Sequence, residues 1–274
     1  MYLISAPIQI TTTFLRNLGR RRGLLLNLVA RDFKQRYVGS LIGWIWGAVH
    51  PIVLLASYTF VFAVVFKVRL GPEAGTSHFA IFLFAGMLPW LLFQETVQRS
   101  ASSMVDYANL ITKSVFPAEL IPIAIFLSNV LNHLMGLAIL ELVILGTAQK
   151  PSSFLALLPL YMLLLGLFTL GVSWLVSSLH VFLRDTAQVL TIVLTFWFWF
   201  TPIFFTVDRL PSRLRFLAQW NPLASVVEAY RSCLLQARGP SAAGLGQLAI
   251  FSLGMFVVGG WFFRHSKRAF GDVL

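Results

Sequence analysis

The chain has 274 residues, of which 58% are hydrophobic and only 11% charged, with a formal net charge of +11. A water-soluble domain carries charge on roughly a quarter of its residues, so a soluble enzyme, a disordered tail and a nucleic-acid-binding domain are excluded. Lys and Arg stand singly between apolar runs, apart from Arg20-Arg21-Arg22, which fits membrane orientation and headgroup contact better than a basic face for nucleic acid.

Met1 to Thr13 lacks the basic start of a cleavable signal. Within Arg20 to Arg36, Leu25, Leu28, Val29 and Phe33 recur at helical spacing, away from Asn27, Arg31, Lys34 and Gln35. That pattern predicts an amphipathic helix in the membrane interface; the alternative is a flank that only orients the chain. Crossing about 30 Å of hydrocarbon takes about 20 helical residues. The expected spans are Trp44 to Phe66, Ala74 to Gln94, Leu120 to Gln149, Pro151 to Leu183, Thr186 to Val207 and Gly239 to Phe263. The last two are separated by Asp208 to Arg238, too polar to span and too apolar for a plain loop. There Leu210, Leu214, Leu217 and Trp220 suggest a short helix, and Asn221-Pro222 supplies an N-cap with proline at the first helical position. Val226, Tyr230, Cys233, Leu234 and Ala237 then form an apolar stripe, with Glu228 and Arg231 off it. A re-entrant hairpin shielded by other helices satisfies such a backbone; a hairpin resting on the surface is the alternative.

The expected fold class is therefore all-α integral membrane, with six transmembrane helices, an amphipathic N-terminal interface helix and a re-entrant helical hairpin between spans five and six. The chain reads as a single transmembrane domain over 1–274: an N-terminal region 1–43, spans one to five within 44–207, the hairpin 208–238, span six 239–263 and a tail 264–274. With the N-terminus inside, thirteen of the 21 Lys and Arg residues are cytoplasmic, seven of them before span one, which places both termini inside the plasma membrane.

No catalytic set emerges. The lone Cys233 excludes an internal disulfide and a cysteine-built metal site. The five histidines are scattered, neither HExxH nor GxSxG occurs, and no metal ligand set is expected. The GxxxxGK[ST] phosphate loop is missing, so any ATP hydrolysis belongs to another chain. Asn129, Asn132, His133 and Gly136 share one face of span three, read as helix-to-helix hydrogen bonding in preference to a proton relay, with Glu141 toward its outer end. Glu95 and Arg99 lie four apart, as a local pair or a dimer contact. The run Phe196-Trp197-Phe198-Trp199-Phe200 covers every direction around a helix, part as an interfacial belt and part as a lining on which sugar C–H faces stack.

In order along the chain, Arg31-Asp32-Phe33-Lys34-Gln35-Arg36-Tyr37 with Gly39-Ser40 and Gly43-Trp44, then Gly86-Met87-Leu88-Pro89-Trp90, then Asn109, Lys113, Phe116-Pro117 and Glu119 up to Pro122, then Thr201-Pro202-Ile203 and Trp220-Asn221-Pro222-Leu223 with Glu228 and Tyr230-Arg231, resemble the ABC-transporter permeases of the polysaccharide and polyol-phosphate export type. The resemblance covers nearly the whole chain. It implies a homodimer working with two separate ATPase subunits, which hold the ATP and Mg. The substrate would be a lipid-linked glycan of O-antigen, capsule or teichoic-acid type. Arg31, Lys34, Asp106, Asn109, Lys113, Phe116, Pro117 and Glu119 would couple to the ATPase. Trp90, Phe93, Phe196, Trp197 and Trp199 would line the channel, and Trp220, Asn221, Pro222, Glu228, Tyr230 and Arg231 would form an outer gate. No cofactor is expected on this chain and no enzyme activity. The alternatives are a permease for a small lipophilic drug and a membrane-embedded glycosyltransferase.

Overall fold

In a computed structural model of the chain, the helix α3 (Phe79–Asp106) is the axis of the molecule: 78% of its most apolar 18-residue stretch is buried. The structure describes residues 21–36, 43–68, 70–71, 74–76, 78–113, 116–147, 152–236 and 238–274. The Met1 to Thr13 segment, the Tyr37 to Ile42 approach to the first span with its Gly39-Ser40, and Ala237 of the hairpin stripe lie outside the described residues.

Around α3 pack α2 (Trp46–Thr59), α5 (Leu120–Gly146), α6 (Leu158–Phe182) and α7 (Thr186–Phe200). Helix α10 (Ala242–Ser266) lies against α6. The smaller helices are α1 (Arg22–Gln35), α4 (Ala108–Lys113), α8 (Arg215–Gln219), α9 (Pro222–Leu234) and α11 (Phe270–Val273). The described residues contain no strand. In a medium without water only helices and closed barrels satisfy every backbone group, and this chain takes the first solution.

Among the described residues four stretches are long and apolar enough to cross a bilayer: Phe79–Asp106, Leu120–Gly146, Ser153–Phe182 and Ala242–Val273. The first and fifth expected spans are carried by shorter apolar helices, Pro51–Val65 and Thr186–Phe200. Helix α2 runs directly into a π-helical segment, Phe60–Val65. Helix α7 stops at Thr201, which is extended at ψ 132°, because the ring of Pro202 disfavours helical backbone in the residue before it. The expected continuation to Val207 is therefore replaced by a turn.

Glycine sets the closest crossing. A Cβ on Gly259 of α10 would collide with the backbone of Gly171 on α6, and one on Gly171 would collide with the Met255 carbonyl. Where apolar solvent supplies no driving force for helix association, such small residues let backbones meet and dispersion hold them. Two hydrophobic clusters result. The larger surrounds α3 and includes Phe82, Phe93, Leu165, Val226 and Tyr230. The smaller gathers Leu25 and Leu28 of α1 with Ile121, Trp174, Phe263 and Phe270 at the other end of the bundle.

Candidate functional site

Helix α1 buries Leu25 and Leu28 and exposes Asn27, Arg31, Lys34 and Gln35, as its periodicity predicts. It also buries Asp32, which that pattern does not single out. Arg99 of α3 grips this carboxylate with both terminal nitrogens, at 2.5 and 3.1 Å. Arg36, one turn beyond Asp32, lies 3.5 Å from the same carboxylate and 4.0 Å from Glu95. Arg36 also donates to the side-chain oxygen of Asn129 on α5, and Asn129 donates to the Thr96 hydroxyl at 2.8 Å. Three helices are thus joined by one polar network. Within the chain Arg99 pairs with Asp32 and not with Glu95 four residues away: a planar guanidinium binds a carboxylate bidentately, and Asp32 offers that geometry. Burial lifts the Tyr107 phenol above its usual range, and the nearby Asp32 carboxylate adds to the effect.

The expected coupling residues sit at this same end. Asp106 and Asn109 are exposed, Pro117 is buried and Phe116 half-buried, and Lys113 ends α4. Glu119 pairs with Lys267 of the C-terminal segment at 2.6 Å, and its carbonyl accepts from the Trp174 indole at 3.2 Å. Helix α11 packs on α4, with Phe270 fully buried. Sequence spacing gave no sign of this C-terminal contact, since its partners lie 148 positions apart.

At the opposite end, Asn221 caps α9 as expected: its side-chain oxygen accepts from Leu223 N at 3.0 Å and from the Trp197 indole at 3.0 Å. Its amide donates to the Thr201 hydroxyl at 3.0 Å. Pro222 follows the cap in the first turn, Tyr230 is buried, and Glu228 and Trp220 are exposed. Arg231 corrects the helical pattern, which put it off the apolar stripe. It is buried, and its guanidinium lies 3.6 Å from the centre of the Phe82 ring. It donates to the carbonyls of Pro202 at 2.7 Å and Ile203 at 2.5 Å. The chain needs a cation there because Pro202 breaks α7 and leaves carbonyls without helical partners. Gly86 makes the space, since a Cβ there would lie 2.6 Å from an Arg231 nitrogen.

His133 joins α5 to both neighbours. Its Nδ1 lies 3.2 Å from the Leu88 carbonyl and its Nε2 2.9 Å from the Tyr230 hydroxyl. A carbonyl only accepts, so Nδ1 carries the proton; in the neutral ring Nε2 then accepts from Tyr230. The polar face of α5 is therefore helix-to-helix bonding, as the sequence suggests, and Gly136 admits Leu88. On the same helix the Glu141 oxygen Oε1 is buried with no hydrogen-bond partner among the described residues.

The expected channel residues divide. Trp90 and Phe93 are interior, packed with Phe198 and Trp197 at ring separations of 5.4 and 5.3 Å. Trp197 is half-buried, whereas Phe196 and Trp199 are 63% and 51% exposed. Along the exposed surface of α7, Gln188, Thr191, Thr195 and Trp199 follow one line at helical spacing and Val189, Val193, Phe196 and Phe200 another, with the exposed Ile192 between them. Among the described residues no group of three or more His, Cys, Asp and Glu residues is placed to hold a metal ion.

A model of the ABC-2 type transporter family matches residues 24–235, well over half of the chain. The chain belongs to that family. The matched region runs from α1 to the end of α9 and so contains the Asp32 network and the Arg231 knot. Among curated proteins, the chain is 29% identical to an O-antigen export system permease protein of Myxococcus xanthus, over 94% of this chain and 97% of that one. An O-antigen export system permease protein of Klebsiella pneumoniae is 27% identical over the same shares. A polysialic acid transport protein of Escherichia coli is 24% identical over 88% of this chain and 93% of that protein. As an ABC-2 type transporter with four apolar helices of spanning length, the chain is a multi-pass membrane protein and a permease, not an enzyme.

Proposed function

We propose that this chain is the transmembrane subunit of an ATP-driven exporter that moves a lipid-linked polysaccharide outward across the bacterial plasma membrane. Likeness along nearly the full length of export permeases for O-antigen and polysialic acid supports the reading. The observation in this molecule that carries it is the exposed polar stripe of α7. An apolar helix that leaves Gln188, Thr191, Thr195 and Trp199 uncovered by its own protomer suits a hydroxyl-rich strand passing beside it. The Thr191 and Thr195 protons are held by carbonyls one turn back, at 3.0 and 2.8 Å, which leaves the hydroxyl oxygens to accept from sugar.

In this reading two copies face each other across the corridor, and α2 and α7 complete six crossings. The α8–α9 unit is a re-entrant hairpin at the outer mouth, and both termini are cytoplasmic. Two ATPase subunits, holding ATP and Mg, bear on Arg31, Lys34 and the Asp106–Glu119 turn. The Asp32 network and the Glu119–Lys267 pair pass their motion into α3, α5 and α10, because packed elements shift as rigid bodies.

Replacing Thr191 and Thr195 together by Val, or Trp199 by Ala, tests the corridor. Glycan reaching the cell surface should fall several-fold while membrane-inserted protein and ATP hydrolysis hold. Unchanged export would sink the assignment of this face. A cysteine at Asn109 should cross-link to the ATPase subunit in membranes, and a complete lack of product would count against the coupling turn.

A further inference from the structure

Among the described residues a half-open pocket of about 320 Å³ lies between α8–α9 and the first turns of α10. Its polar lining is Tyr161, Gln219, Ser225, Glu228, Ser241 and Gln247, over an apolar floor that includes Val207, Ala218 and Ala224. Such a volume, with few convergent polar groups on an apolar floor, is the size and make-up of a small-ligand site. None of the lining residues is Lys, Arg or His. The Glu228 carboxylate is exposed to the cavity and makes no ion pair among the described residues.

The hydrogen-bonding capacity left over is mixed. The Gln247 amide donates to the Gln219 carbonyl, which leaves its side-chain oxygen to accept. Ser241 accepts from Gly244 N at 3.1 Å, which leaves its proton to donate. Glu228 only accepts, and the Ser225 hydroxyl does both. A vicinal diol presents donors and acceptors side by side, and a carboxylate next to amides and hydroxyls answers it. A phosphate or uronate would bring negative charge toward Glu228 with no cation in the lining to balance it. Next in the chain to the lining residue Gln219, Trp220 is 69% exposed.

We infer that this cavity is an exit subsite for an uncharged pyranose unit of the exported glycan. The inference rests on the export reading, and it adds a preference for neutral sugar that the exposed arginines of the hairpin do not suggest.

Saturation-transfer NMR on the full chain in nanodiscs tests it, with methyl glycosides of glucose, mannose, galactose and N-acetylglucosamine as probes. Glucuronate, glucose 1-phosphate and O-phosphoethanolamine serve as comparators. At least one neutral glycoside should give a signal that is lost in Glu228→Ala and in the cavity-filling Ala243→Phe, with thermal unfolding unchanged in at least one of the two. Silence from every neutral glycoside would overturn the subsite, as would a signal surviving both variants or an equal signal from an anionic sugar or the headgroup amine. Surface glycan in cells is scored separately: export without glycoside binding removes the subsite alone, and glycoside binding without export removes the transport reading alone.

Discussion

The two ends of the bundle solve the same problem, polar groups close to a membrane, in opposite ways. At the α1 end, Asp32, Arg36, Glu95 and Arg99 form a network of side chains paired with one another, and the Arg99 side chain is still 34% exposed. At the α9 end, one guanidinium is sealed against Phe82 and wired to main-chain carbonyls of the turn after α7. Partly hydrated ion pairs contribute little and re-form easily. A sealed cation bound to backbone is costly to disturb, because each orphaned carbonyl loses its partner. The first end is suited to transmitting movement and the second to holding shape.

The largest effect should follow from Arg231→Met. Two carbonyls lose their donor at about 1–3 kcal/mol each, so monodisperse protein in detergent should drop to a small fraction. Arg231→Lys should rescue poorly, since an ammonium cannot fork to Pro202 and Ile203 together. Next, Gly86→Ala pushes a methyl into that guanidinium, and overpacking of this kind costs about 1–3 kcal/mol; thermal unfolding should move by several degrees. Asp32→Asn should cost about 1–2 kcal/mol, and a double-mutant cycle with Arg99→Gln should return a coupling of about 1 kcal/mol. Export should fall more than protein yield. Smallest is Glu119→Gln, at about 0.5 kcal/mol or less, with a salt-dependent loss of coupled ATPase rate. If Asp32→Asn unfolds the protein and Arg231→Met leaves it intact, the contrast between the ends is reversed.

Local chemistry was readable from sequence. The Asn221-Pro222 cap and the α1 amphipathic face depend on residues within one or two turns, and both stand in the structure. The bonded face of α5 was also visible, as Asn129, His133 and Gly136 at helical spacing. What a helical wheel does not contain is the neighbour. Arg231 fell off the apolar stripe in the pattern, and its burial was not visible there because its acceptors lie 28 and 29 positions upstream. The Glu95–Arg99 spacing lost to Asp32, 67 positions away from Arg99. Trp90 and Phe93 read as channel aromatics by residue type, yet they pack inside the protomer. Hydropathy measured the fifth span through Pro202, although the proline ends that helix two residues earlier.

The meeting of Gly171 with Gly259 has a mechanical consequence. Seventeen residues of α10 lie on one side of that point and seven on the other, or roughly 26 and 10 Å at 1.5 Å per residue. With its most apolar stretch only 17% buried, α10 is a lever on a fulcrum. A small push at the Lys267 end swings the Ala242 end about twice as far, and in the opposite direction.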